Sequence, residues 1–364
     1  DDIQQIQKGT SDPRPLTDPY AVYGDWAAEE AQHRFAAYDY HGAEQIFANL
    51  AGRVPEPERT VYQAYAELAK AYAAWDSFDL HTAQDTLAAL LSHLPDTLAP
   101  QREKLERQQT ALVLLNQFVK PVTDKSGAEV GVQIELQDLA TLGDPAKVLP
   151  LLGTLYANGL RRGEPAHYEQ AETDARHRRY DMAALLLYRC LELMAQHRLA
   201  IWEISTTIPD YSTALARSQL SLKALRDEYS RVLDEQNQKR SARGGHTSNR
   251  KLDGERYFGL FVGYMLLAAL KDDLIRRLPS DCQIDRIEEC AEARNQSALA
   301  HGYRLITQKD YQKFQTVTNK VLTSLFTTLA QPGQSNEEQA RMKDEWQDTY
   351  TFVNPFAAPE RPPA

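Results

Sequence analysis

Helix-forming residues fill this chain almost end to end. Ala, Leu, Glu, Gln and Arg dominate long segments, and apolar–polar alternation occurs only weakly, around Val130 to Ile134. That pattern confines the fold to the all-α class, in which each helix buries an apolar stripe against its neighbours. At 364 residues there is room for two such units. No run of 18 apolar residues occurs, so no membrane span is expected. The sequence starts at Asp1 with no basic-then-apolar leader, which reads as part of an intracellular, cytoplasmic protein.

Punctuation divides the chain. Pro13, Pro15 and Pro19 mark residues 1–19 as a linker. A helical-hairpin, tetratricopeptide-like region follows over 20–162. In it, Ala36-Ala37-Tyr38-Asp39-Tyr40-His41-Gly42-Ala43 is echoed by Ala73 to Ala83, with Asp39 and Asp79 placed 40 residues apart. An aromatic–Asp turn followed by a small alanine closes a helix pair: the Asp caps and the Ala permits close approach. Arg179-Tyr180-Asp181-Met182-Ala183-Ala184 repeats the theme. A second helical unit spans 163–332, with helices expected near 166–179, 181–198, 211–237, 254–277, 282–301 and 308–330, and a loop over 238–253. The C-terminal tail, 333–364, should hold a short helix at 336–347 and then run extended through Pro355, Pro359, Pro362 and Pro363.

Lys and Arg number 41 against 51 Asp and Glu, a net charge of −10, which excludes a general polyanion binder. Nucleic-acid contact would need local basic clusters. Two exist: Arg176, Arg178 and Arg179, and the stretch Lys239, Arg240, Arg243, Arg250, Lys251 and Arg256. Each reads first as a solvated helix end or loop. Cys190, Cys282 and Cys290 are odd in number and form no CxxC pair, so neither a disulfide framework nor a zinc site is expected.

The chemistry concentrates in one predicted helix. Ser280-x-x-Gln283 has the form of a capping box, Gly302 stands where a C-terminal glycine belongs, and Thr307-x-x-Asp310 opens the next helix. On a helix over 282–301, Ile284, Ile287, Ala291, Arg294, Ala298 and His301 form one a/d seam. Arg294 and His301 would then point the same way, about 10 Å apart along the axis. An unpaired arginine on an apolar seam costs several kcal/mol, so the pair either finds partners or lines a cleft, with Asn295 beside it. Arginine suits a phosphate or the charge of its transition state, and histidine moves protons near neutral pH. With no carboxylate cluster for magnesium alongside, the combination suits metal-free RNA cleavage without a cofactor, the ribose 2′-hydroxyl being the nucleophile.

Arg294-Asn295-Gln296-Ser297-Ala298-Leu299-Ala300-His301-Gly302 resembles the R-x4-6-H signature of HEPN ribonucleases, in its Arg-Asn…His-Gly form. Asp18 to Asp25, Ala36 to Phe47 and Arg179 to Gln196 are similar to CRISPR-associated CARF–HEPN proteins of type III systems, so the likeness covers most of residues 18–325, in patches. The resemblance implies a HEPN helical domain over 163–332 and catalytic roles for Arg294, Asn295 and His301. It also implies cleavage of single-stranded RNA and a homodimer in which two Arg–His pairs face each other. In that family a CARF sensor binds cyclic oligoadenylate. No alternating strand–helix stretch precedes residue 18, so that activator is implied only through a CARF domain absent from this sequence. The competing reading is a catalytically silent dimerisation or scaffold protein with a structural Arg–His pair. The two part on one feature: whether Arg294 and His301 line an open interfacial cleft with no carboxylate partner, or Arg294 is bidentate to an acid such as Glu288 or Glu292 on the partner helix.

Overall fold

Two aspartates set the first helices in place. Asp39 accepts a hydrogen bond from the Gly42 N–H at 3.0 Å and caps α2 (Tyr40–Ala51); Asp79 accepts from the Thr82 N–H at 3.2 Å and caps α4 (Leu80–Ser92). The residue before each cap sits in the left-handed region, Tyr38 at φ 64° and Phe78 at φ 65°. This reverses the chain after α1 (Pro19–Ala36) and α3 (Glu58–Asp76). Ala43 and Ala83, four residues past each cap, are wholly buried and let the paired helices close up. The expected aromatic–Asp–Ala turn is therefore present twice.

The computed structural model describes residues 19–123, 129–134, 138–163, 179–242, 244, 247, 252, 259–298 and 302–357. After α5 (Arg102–Asn116), β1 (Val119–Thr123) and β2 (Glu129–Ile134) form an antiparallel hairpin in the register Val119↔Ile134. It is the sole sheet among the described residues, and β2 coincides with the weak alternation in the sequence. Everything else regular is helical: α6 (Leu139–Gly143), α7 (Pro145–Gly163), α8 (Tyr180–Ile201), α9 (Ser212–Ser218), α10 (Leu222–Ser241), α11 (Leu260–Ala269), α12 (Asp273–Arg276), α13 (Ile284–Asn295), α14 (Gln308–Leu329) and α15 (Asn336–Tyr350).

The third echo of the turn behaves differently. Asp181 lies inside α8, whose N-cap Arg179 makes no side-chain cap, and its carboxylate instead accepts from the distant Ile306 N–H at 2.9 Å. The helix expected near 166–179 lies almost wholly outside the described residues. That over 211–237 is two helices, broken at Gln219, whose φ is 56°, and restarted by Ser221, which accepts from the Ala224 N–H. α10 also continues to Ser241, into the expected loop. The stretch expected as one helix over 254–277 is divided at Lys271, φ 58°, followed by the capping Asp272. Asp272 is buried and accepts a two-pronged contact from Arg198, at 3.0 and 2.8 Å, plus the Trp202 indole N–H at 2.8 Å.

α8 is the hub of the second region. Most of its residues are buried, and it packs on α6, α7, α11, α13 and α14. The C-terminal segment ties this region to the hairpins. Ser335 and Glu338 form a capping box that starts α15. Tyr350 lies over Gly153 of α7, where a Cβ would come within 2.2 Å of the ring, so only glycine admits this approach. Phe352 stacks on Tyr72 at 4.1 Å between centroids, and the Val353 N–H donates to the Tyr72 hydroxyl, which itself donates to Gln108. One continuous apolar core results, from Ala28 to Val353.

Candidate active site

α13 begins and ends differently from its sequence pattern. Gln283 is the N-cap and carries no side-chain cap, so the expected Ser280–Gln283 capping box is not formed. Ile284, Ile287 and Ala291 are buried, and α13 packs on α8, α11 and α14 of the same protomer. The apolar half of the seam is thus satisfied inside the protomer, and its burial gives no reason to dimerise.

The helix stops at Asn295, six residues short of its expected end. Residues on either side of 299–301 then meet in an isolated parallel bridge: the Gly302 N–H donates to Ser297 O at 3.1 Å, the Ala298 N–H to Arg304 O at 3.0 Å, and the Arg304 N–H to Gln296 O at 3.0 Å. The single straight helix over 282–301 that would have put Arg294 and His301 two turns apart is therefore not formed as expected: α13 ends at Asn295. His301, with Leu299 and Ala300, lies outside the described residues. Two anchors hold the described residues that follow. The Ile306 N–H reaches Asp181, and Arg304 pairs with Asp310 at 2.7 Å. Gly302 is no helix cap. A Cβ there would fall 2.0 Å from Gln296 O, so this close backbone approach excludes any side chain. The expected Thr307–Asp310 capping box is formed and opens α14. Burial would raise the Asp310 carboxyl, but hydrogen bonds from Thr307 and the charge of Arg304 outweigh it and hold it below the usual range.

Arg294 ends α13 facing α8. Its guanidinium carbon sits 5.1 Å from the centroid of the Tyr188 ring, and its Nη1 donates to Asn295 Oδ1 at 3.1 Å. Its Nε is buried and has no acceptor. Among the described residues no carboxylate pairs with it. Glu288 and Glu292, six and two residues before it on the same helix and so on another face, pair with the buried Arg240 of α10. Arg294 and Asn295 line a cleft of about 370 Å³ with Tyr188, Glu192, Leu260 and Phe261. Arg189, on the same wall, pairs with Glu192.

Residues 145–324 match the family model of the Csm6 HEPN domain and residues 23–114 that of the Csm6 6H domain, together most of the chain. The chain belongs to the Csm6-type CRISPR HEPN proteins. No curated protein matches it. The HEPN segment contains the whole cleft and the Arg294–His301 stretch, and the 6H segment contains the two capped hairpins.

Within the HEPN domain, sequence reasoning missed Tyr188, Arg189 and Glu192. Their signal was present: polar residues interrupt an otherwise apolar α8 at positions that share a face. The basic clusters resolve unevenly. Arg240 is a buried ion-pair residue and Lys239 pairs with Glu235, while Arg176, Arg178, Arg243, Arg250, Lys251 and Arg256 lie outside the described residues. The three cysteines are buried free thiols, and burial pushes all three upward, Cys282 to about 11. No metal-holding group of His, Cys, Asp and Glu occurs among the described residues, and none of their helices is long and apolar enough to cross a membrane.

Proposed function

We propose that this chain is a metal-independent endoribonuclease that cleaves single-stranded RNA, with Arg294, Asn295 and His301 as its catalytic residues. Membership of the Csm6 HEPN family supports a CRISPR-associated HEPN ribonuclease. The observation that carries the finer reading is Arg294: a cation in an open cleft, held by an aromatic face and an amide, with no carboxylate on it among the described residues.

The chemistry follows from the side chains. The 2′-hydroxyl attacks the adjacent phosphorus and the 5′-oxygen leaves, giving a 2′,3′-cyclic phosphate. His301 moves the protons. Arg294 stabilises the extra negative charge of the phosphorane, and Asn295 orients its guanidinium. Two copies of the loop after α13 complete the site across a twofold axis. Among the described residues of that loop, Tyr303, wholly exposed, and Leu305, 69% exposed, are apolar groups available to such an interface.

The test is an RNase assay on this chain beside its His301→Ala form, with sedimentation on both. Cleavage by the parent, its loss in the variant and a dimer in both support the reading. Equal cleavage by both forms removes His301 from the mechanism. A monomer at tens of micromolar, where Kd corresponds to about 6–7 kcal/mol, removes the composite site.

A further inference from the structure

Glutamates on α13 and in the cleft of Arg294 are paired with other arginines. Arg240 accounts for Glu288 and Glu292. Glu192 is the acid that shares the cleft with Arg294, and its side chain is only 11% exposed. It stands four residues after Tyr188 on α8, so the two lie one turn apart on the same face. Tyr188 is the ring against which the Arg294 guanidinium rests. A largely desolvated carboxylate in that position is a ready counter-ion for a guanidinium fork. It is not used so: Glu192 pairs with Arg189, and Arg294 Nε has no acceptor. An aromatic face attracts a cation without cancelling its charge; a carboxylate cancels it.

We propose that Arg189 is a positioning residue that keeps the Glu192 carboxylate occupied, so that Arg294 retains its charge for the substrate. This rests on the nuclease reading of the cleft. Arg189 itself is half exposed on the wall and acts through Glu192. Removing it releases Glu192, which then captures Arg294 and withdraws the charge that the phosphorane needs.

The full chain is assayed on single-stranded RNA as parent, Arg189→Ala, Arg189→Ala with Glu192→Gln, and Arg294→Ala. Arg189→Ala should lose about 10-fold or more in kcat, part of the about 10²–10³-fold that a lost transition-state donor costs. The added Glu192→Gln, which removes the competing charge, should restore kcat to within about threefold. A double variant as slow as Arg189→Ala overturns the proposal and makes Arg189 a direct RNA contact or a structural residue. An Arg189→Ala form as fast as the parent also overturns it. A second readout needs no activity. In the parent, Arg294→Ala should leave the melting temperature unchanged. In the Arg189→Ala background it should lower it by a few degrees, because Arg294 has become an ion-pair partner. Equal shifts in the two backgrounds contradict the capture of Arg294. Arg294→Ala that cleaves like the parent contradicts the nuclease reading itself.

Discussion

In the hairpins, an aromatic residue in the left-handed region, an aspartate cap and a fully buried alanine recur 40 residues apart, at Tyr38–Asp39–Ala43 and Phe78–Asp79–Ala83. At the end of α13 nothing comparable occurs. The helix stops where Asn295, Gln296 and Ser297 give way to a loop pinned by residues from α8 and α14, Asp181 and Asp310. The hairpins are closed by groups within five residues of each turn, so each turn carries its own instructions. The site loop is closed by partners more than 100 residues away in one case, and its local propensity points the other way. Structure written locally tolerates local change; the site's geometry depends on distant contacts and fails when they are disturbed.

The sharpest way to break this contrast is at the proposed proton carrier. His301→Ala should cost about 10²–10⁴-fold in RNA cleavage with no change in melting temperature; a loss of stability with retained cleavage would move His301 into the structural group. Next comes Gly302→Ala. The added Cβ meets Gln296 O at 2.0 Å, so the close approach of Gly302 to Gln296 must open. Overpacking of this kind costs about 1–3 kcal/mol, and cleavage should fall with it because the neighbouring His301 is displaced. An active, fully stable Gly302→Ala enzyme would contradict the loop geometry. The smallest effect belongs to the hairpins. Asp79→Ala removes a cap worth about 1 kcal/mol, seen as a small drop in melting temperature with cleavage unaltered. Lost cleavage there would mean that the hairpin region reaches the site.

The same contrast explains what the sequence made legible. The helical class, the capped turns at Asp39 and Asp79, the Thr307–Asp310 capping box and the position of α14 all rest on short-range signals, and all appear. Arg294 was legible as a charge on an apolar seam, and Asn295 as its neighbour. The end of α13 was not, because Ala298 to Ala300 read as helix formers while Arg304 and Ile306 are bound elsewhere. Nor was the role of the Ile284, Ile287 and Ala291 face: periodicity shows that a stripe is buried, and whether a second copy or the protomer's own α8 and α11 covers it is a matter of topology. Arg240 illustrates the same limit. In sequence it sat in a basic cluster beside an expected loop, and in space it is the buried partner of two glutamates on α13.

The central claim is that Arg294 is an uncommitted cation serving the reaction rather than the fold. Arg294→Ala, compared with the parent for melting temperature and for RNA cleavage with a chelator present, tests it most directly. The account predicts an unchanged melting temperature, a loss of about 10²–10³-fold in rate, and a parent enzyme that cleaves under chelation to leave 2′,3′-cyclic phosphate ends. A variant that loses several degrees of stability while cleavage persists would contradict it and make Arg294 a structural residue.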